Sequence, residues 1–169
     1  MIAGINSKMV LFAYDTSTII TSSKQEELKT VLFKTLSYLN LWFKANLLSL
    51  NINKTYLLQF CTNNKIENTL ELNYINKTIL NVHSMKFLGL LVDDTLSWDQ
   101  HINQVASKLS SACHAIWTLT PLLSKNALRM LYFSYAHSII NSGIIFWGNS
   151  GNRIKIFRQQ KKKLRILTK

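Results

Sequence analysis

The sequence predicts an α+β chain: a strand-rich half carrying one long helix, followed by a half built from helices alone. Three observations carry that expectation. Short β-favouring runs bounded by turn residues fill the stretch from Met9 to Val92. One segment among them, Leu28 to Phe43, instead repeats its apolar residues at helical spacing. From Ser97 onward the helical period is the only one present. The change of texture between Asp93 and Ser97 divides the chain into residues 1–95 and 96–169.

Met9–Phe12 and Thr16–Ile20 are apolar or β-branched runs around a short interruption with one acid, the pattern of a hairpin presenting Asp15 at its tip. Ser23-x-x-Glu26 then reads as a capping box. The helix it opens carries Leu28, Val31, Leu32, Leu36, Leu39 and Phe43 on one face and ends near Asn46. Leu48, Leu50 and Ile52 alternate, and a strand follows from Thr55 to Phe60. Residues 62–68 are a polar connector. Leu70–Ile75 and Lys77–Val82 are two strands around a turn at Asn76, and Met85–Val92 is a further short strand. The long helix packed on this antiparallel sheet makes the first layer pair.

In the second half, Ser97-x-x-Gln100 caps a helix with Ile102, Val105, Leu109, Ala112, Ile116 and Leu119 on its apolar face, closed by Pro121. A second helix from Ser124 carries Leu128, Leu131, Tyr132, Tyr135 and Ile139. Gly143–Gly151 is a turn-rich bridge containing Trp147. A third helix runs from about Asn152 to the end, with Ile154, Phe157, Leu164 and Leu167 forming its apolar stripe.

Composition bounds the function. At 169 residues and 47% hydrophobic, the chain has enough apolar mass for a core and too much for disorder. One proline and five glycines argue against a loop-rich or repeat-built chain. Cys61 and Cys113 match no metal or redox spacing and read as reduced, semi-buried residues. The first eight residues are too short and polar for a signal peptide. The apolar run Ile139–Trp147 is broken by Asn141, Ser142 and Gly143, so no membrane span is expected and the location reads as intracellular. Glycosylation patterns at Asn53 and Asn76 are chance without a secretory signal.

The net charge of +12 points to a polyanion, because every phosphate neutralised by Lys or Arg releases a counterion. The C-terminal run from Arg153 contains no acid. Lys155, Arg158, Lys162, Arg165 and Lys169 fall mainly outside its apolar stripe. Such a cationic amphipathic helix suits nucleic acid, an anionic membrane or a protein partner. His83, His101, His114 and His137 have no Cys or acid at ligand spacing and read as core or surface histidines. Asp93, Asp94 and Asp99 precede a helix start, where acids favour the positive end of the dipole, so capping is preferred over a cation site.

Several segments resemble reverse transcriptases of non-LTR retrotransposons, the jockey-like insect type. Phe12-Ala-Tyr-Asp15 is similar to the Phe-Ala-Asp-Asp hairpin of that family, with Tyr14 where its first aspartate stands. Leu50-Asn-Ile-Asn-Lys-Thr55 resembles the motif whose lysine approaches the incoming nucleotide's phosphates; a solvated strand-end lysine is the alternative reading of Lys54. Phe87-Leu-Gly-Leu-Leu-Val-Asp-Asp-Thr-Leu-Ser-Trp98 resembles the primer-gripping hairpin that leads into the thumb, and Phe146-Trp147-Gly148 adds to the likeness.

The resemblance implies a partial polymerase palm and a helical thumb, without fingers or the first half of the palm. It implies RNA-directed DNA synthesis on an RNA template and a DNA primer, with magnesium. Asp15 would be a metal ligand, Lys54 a phosphate-facing cation, and Phe87, Leu88 and Gly89 a primer grip. Lys155, Arg158, Lys162, Arg165 and Lys169 would track the nucleic-acid backbone. Two-metal chemistry needs clustered carboxylates, and the phenol of Tyr14, with a pKa of about 10, does not replace one. The expectation is therefore a catalytically inactive fragment that holds no magnesium productively and binds RNA or RNA–DNA duplex without sequence preference. The alternative is a basic protein-interaction module with no nucleic-acid function.

Overall fold

The computed structural model describes residues 7–12, 15–22, 24–60, 70, 72–74 and 77–167, with side chains to residue 161. It is a mixed structure of small, mainly antiparallel sheets and several helices, compatible with α+β. Two compact units are present: Met1–Gln59 with Ile66–Val82, and Phe60–Lys65 with His83–Lys169. The second unit thus takes in residues 83–95 along with the helices. Among the described residues no helix is long and apolar enough to cross a membrane.

In the first unit, β1 (Ser7–Phe12) and β2 (Asp15–Ile20) pair antiparallel, with Phe12 opposite Asp15 across the two residues between them. The expected hairpin is present; Tyr14 lies outside the described residues. Helix α1 (Gln25–Ala45) follows. At its start Ser22 Oγ accepts from the Lys24 N–H and donates to Glu27. Ser23 lies outside the described residues.

Leu28, Val31, Leu32, Leu36, Leu39 and Phe43 are half-buried as their spacing predicts, with Thr35 fully buried among them. Phe33, Tyr38, Leu41 and Trp42 are exposed around the rest of its circumference. A helix of 21 residues spans roughly 31 Å. Strands of two to six residues cannot cover that length.

The segment after α1 departs from the expected strand. Ile52–Lys54 form a 3₁₀ turn, and β3 is only Tyr56–Leu57. The Thr55 hydroxyl donates to Asn51 O at 2.8 Å, a local bond that favours the turn over a ladder. Strands β4 (Leu72–Tyr74) and β5 (Lys77–Asn81) pair antiparallel around residues 75–76, as expected. β3 joins β5 in parallel, so the three-stranded order is β3-β5-β4 and the sheet is not purely antiparallel. Among the described residues, Leu70, Leu72 and Ile79 are the buried apolar side chains of this unit.

Residues 84–93 form a hairpin, as the resemblance implies, where the strand pattern alone gives one strand. β6 (Ser84–Phe87) and β7 (Leu90–Asp93) pair antiparallel across Leu88-Gly89, both left-handed at φ 47° and 84°. That is the two-residue turn whose twist matches the flanking strands. Helix α2 (Asp99–Leu119) buries Ile102, Val105, Leu109, Ala112 and Ile116, the face its period predicts.

The next helix is not regular. α3 (Lys125–Leu131), started by Ser124 Oγ accepting from the Ala127 N–H, runs into a π turn at Tyr132–His137 and then α4 (Ser138–Asn141). The wider turn shifts the register, so Ala136 and Ile140 are buried, Tyr135 is exposed, and Ile139 stays half-buried against the core. Gly143, at φ 67°, begins α5 (Ile144–Trp147), and a Cβ there would collide with the Leu90 side chain. Trp147 is fully buried, its indole N–H donating to Ser142 O at 3.0 Å. A 3₁₀ turn (Gly151–Arg153) leads into α6 (Ile154–Leu167).

Candidate nucleic-acid interface

Helix α6 is anchored by Ile156, which is 0% exposed among the apolar residues of α2, α3 and α4. Burying such a side chain is worth roughly 1.5–3 kcal/mol. Polar bonds hold the same side: Gln159 Nε2 donates to Ser110 Oγ at 3.3 Å and Gln160 Nε2 to the Tyr132 hydroxyl at 3.4 Å. Asn152 Nδ2 donates to Asp99 Oδ1. The expected stripe is therefore rotated: Ile154 is 52% exposed and Phe157 also faces outward. Polar partners on α2 and the π turn accept glutamines, which an apolar-period reading cannot anticipate.

The cationic side survives this rotation. Lys155, Arg158 and Lys161 are exposed, with Lys155 Nζ donating to Asn103 Oδ1 at 2.6 Å. Lys162 and Arg165 continue the three-and-four spacing along the helical backbone, but their side chains lie outside the described residues, as does Lys169 entirely. Charge partition reinforces the picture. Eleven of the twenty Lys and Arg residues lie between Gln100 and Lys169, and none of the eight acids does. That stretch is a region of uniformly positive charge, which focuses polyanions toward it.

The hairpin before α2 is held by a cluster that sequence spacing missed in part. Asp93 is buried, and its carboxylate accepts four bonds: from the Thr95 hydroxyl (2.6 Å), the Ser97 N–H (2.8 Å), the Ser97 hydroxyl (2.8 Å) and the Trp98 N–H (2.9 Å). Burial alone would raise its pKa; these bonds outweigh it and hold the group below the ordinary aspartate value. The acid therefore caps, and the Ser97–Gln100 box does not form: Gln100 Oε1 accepts instead from Ser84 Oγ at 2.9 Å.

His101 is buried, its Nδ1 accepting from the Leu91 N–H at 3.2 Å, with its ring beside Trp98 and Trp147. Burial, then the charge of Lys108, pushes its pKa down, so the imidazole is the neutral form. His83 Nδ1 lies 2.8 Å from Asp94 Oδ2. Their separation of eleven residues hid this pair, and the register that sets Ser84 opposite Asp93 creates it.

The residues singled out for polymerase chemistry are dispersed. Asp15 is exposed at the start of β2. Lys54 is exposed on the 3₁₀ turn, and no hydrogen bond or ion pair joins it to Asp15. Among the described residues no three His, Cys, Asp or Glu side chains come together as a ligand set. Asp15 alone does not fit a magnesium pair. Phe87 is half-buried at the end of β6, Leu88 is exposed at the turn, and Gly89 has open space where a Cβ would stand. Within the protein its left-handed φ is what calls for glycine.

A further row joins exposed Arg129 and Phe133 to half-buried His137. The Arg129 guanidinium lies over the Phe133 ring, 5.9 Å from its centroid, and the His137 ring is 5.4 Å from Phe133 on the next turn. The spacing of four was legible; the exposure was not. Compared with protein-family models, curated proteins and solved structures, the chain matches none.

Proposed function

We propose that this chain is a palm-and-thumb portion of a non-LTR retrotransposon reverse transcriptase, without polymerase activity, that binds RNA or RNA–DNA duplex through phosphate contacts along α6. The observation that carries the binding half is the acid-free stretch from Gln100 to Lys169, with Lys155, Arg158 and Lys161 exposed on α6. The family half rests on the four resembling segments. In its favour, Phe12–Asp15 and Phe87–Leu90 each close a hairpin, the local form those motifs require. Loss of catalysis follows from carboxylate chemistry: Tyr14 stands beside Asp15 where a second acid is needed.

Fluorescence anisotropy with labelled RNA and RNA–DNA duplexes over a salt series tests the binding. Affinity should fall steeply with salt, and replacing Lys155, Arg158 and Lys161 by Gln should flatten the slope by about two to three, near one per phosphate contact. Binding that ignores salt, or an unchanged slope in the variant, overturns the assignment. Magnesium-dependent primer extension by the chain would overturn the inactivity.

One observation favours a second reading, a basic protein-interaction module: α1 exposes four large apolar or aromatic side chains, Phe33, Tyr38, Leu41 and Trp42. Failure to bind any RNA at low salt would select it.

A further inference from the structure

Phe133 opens the question of which strand state the helical unit prefers. Its ring is 50% exposed, and neighbouring Met130 is 68% exposed, while the core beneath is made by Leu128, Tyr132, Ala136 and Ile140. Arg129, Phe133, His137 and Asn141 succeed one another at intervals of four along α3, the π turn and α4. The guanidinium rests on the ring, the imidazole tilts against it at 58°, and Asn141 Nδ2 meets His137 Nδ1 at 3.0 Å. A cation, two flat rings and an amide thus line an open face in a stretch that contains no carboxylate.

The partner that matches is anionic and presents flat apolar faces. Duplex nucleic acid offers the charge but keeps its bases stacked inside; a single strand offers both. We propose that the Arg129–Phe133–His137 row is a stacking site for unpaired bases of single-stranded nucleic acid. A base against the exposed Phe133 ring takes the place of the guanidinium, which turns to the adjoining phosphate, so each contact is exchanged and none is lost. Stacking on an aromatic face tolerates any base, so the site adds strand-state preference without sequence preference. The inference rests on nucleic acid as the partner, but it names a surface other than α6 and a different form of the ligand.

The test uses the full chain, 20-nucleotide single-stranded RNA and a blunt RNA duplex of the same length, read by anisotropy. Phe133→Ala and Phe133→Leu should each weaken the single strand at least fivefold and leave the duplex unchanged. Phe133→Trp should restore the single strand. Far-UV circular dichroism of each variant checks the fold, and Phe133→Leu keeps the apolar volume while removing the ring. Equal loss on both ligands, no loss on either, or a Trp variant as weak as Ala overturns the stacking site. If the wild-type chain binds neither RNA, the α6 reading falls with it; if it binds both and Phe133→Ala changes nothing, only the stacking site falls.

Discussion

Replacing Asp93 should loosen the start of α2 and the hairpin before it. The buried carboxylate accepts two backbone N–H groups, from Ser97 and Trp98, and two hydroxyls, from Thr95 and Ser97. The hydroxyls belong to exposed residues and can turn to water. The backbone groups lose a charged acceptor, at roughly 1.5–3 kcal/mol each. Relief from holding a charge away from water offsets part of that sum. Asp93→Ala should therefore cost about 2–4 kcal/mol, and Asp93→Asn, which keeps one acceptor oxygen, about half as much.

Urea unfolding at pH 7, followed by tryptophan fluorescence and far-UV circular dichroism, measures both variants. A pH series adds a second check. The folded-state pKa of Asp93 is depressed, so its contribution is fully present above the ordinary aspartate value of about 3.9 and lost as pH falls through the depressed one. The gap between wild type and Asp93→Asn should close in acid. A cost under about 0.5 kcal/mol for Asp93→Ala, below one typical hydrogen bond, would refute the capping role.

Other substitutions probe different parts of the chain. Leu47 is 97% exposed at φ 58°, where the Leu47 and Leu48 N–H groups close onto Lys44 O and Phe43 O. Leu47→Gly should stabilise by about 0.5–1 kcal/mol, since relief of left-handed strain exceeds glycine's added chain entropy. A lower urea midpoint would contradict it. Leu88→Asn creates the Asn-Gly turn that suits this hairpin and should also stabilise; if Leu88 grips nucleic acid, RNA affinity should fall in the same variant. Gly143→Ala sets a Cβ into the Leu90 side chain at a left-handed position and should destabilise by at least 1 kcal/mol, measured by thermal melting. His101 is held neutral with a depressed pKa, so its contribution is complete above the ordinary value near 6.5 and declines as pH falls toward the depressed one. A stability profile between pH 5 and 7.5 with the same slope in His101→Phe would exclude that linkage.

Much was legible where one local rule acts alone. The amphipathic periods of α1 and α2, the β1–β2 hairpin, the β4–β5 pair and the basic C-terminal helix follow from spacing and charge in the sequence. Other features were settled only by packing. The π turn gives Ala136 and Ile140 the core, because one wider turn re-aims every later side chain. Ile156 anchors α6 because Ser110 and Tyr132 satisfy the glutamines beside it. The His83–Asp94 pair depends on a strand register that joins residues eleven apart, whereas Asp93 caps through residues within five positions of it, as its place before the helix predicts.

The candidate interface divides in the same way. Its charge is a property of composition, present in any conformation of residues 100–169. Which cations face water, and the placing of Arg129 over Phe133, depend on which side each helix buries. Burial is a competition among all the elements of the unit, and a single segment's period does not decide its outcome.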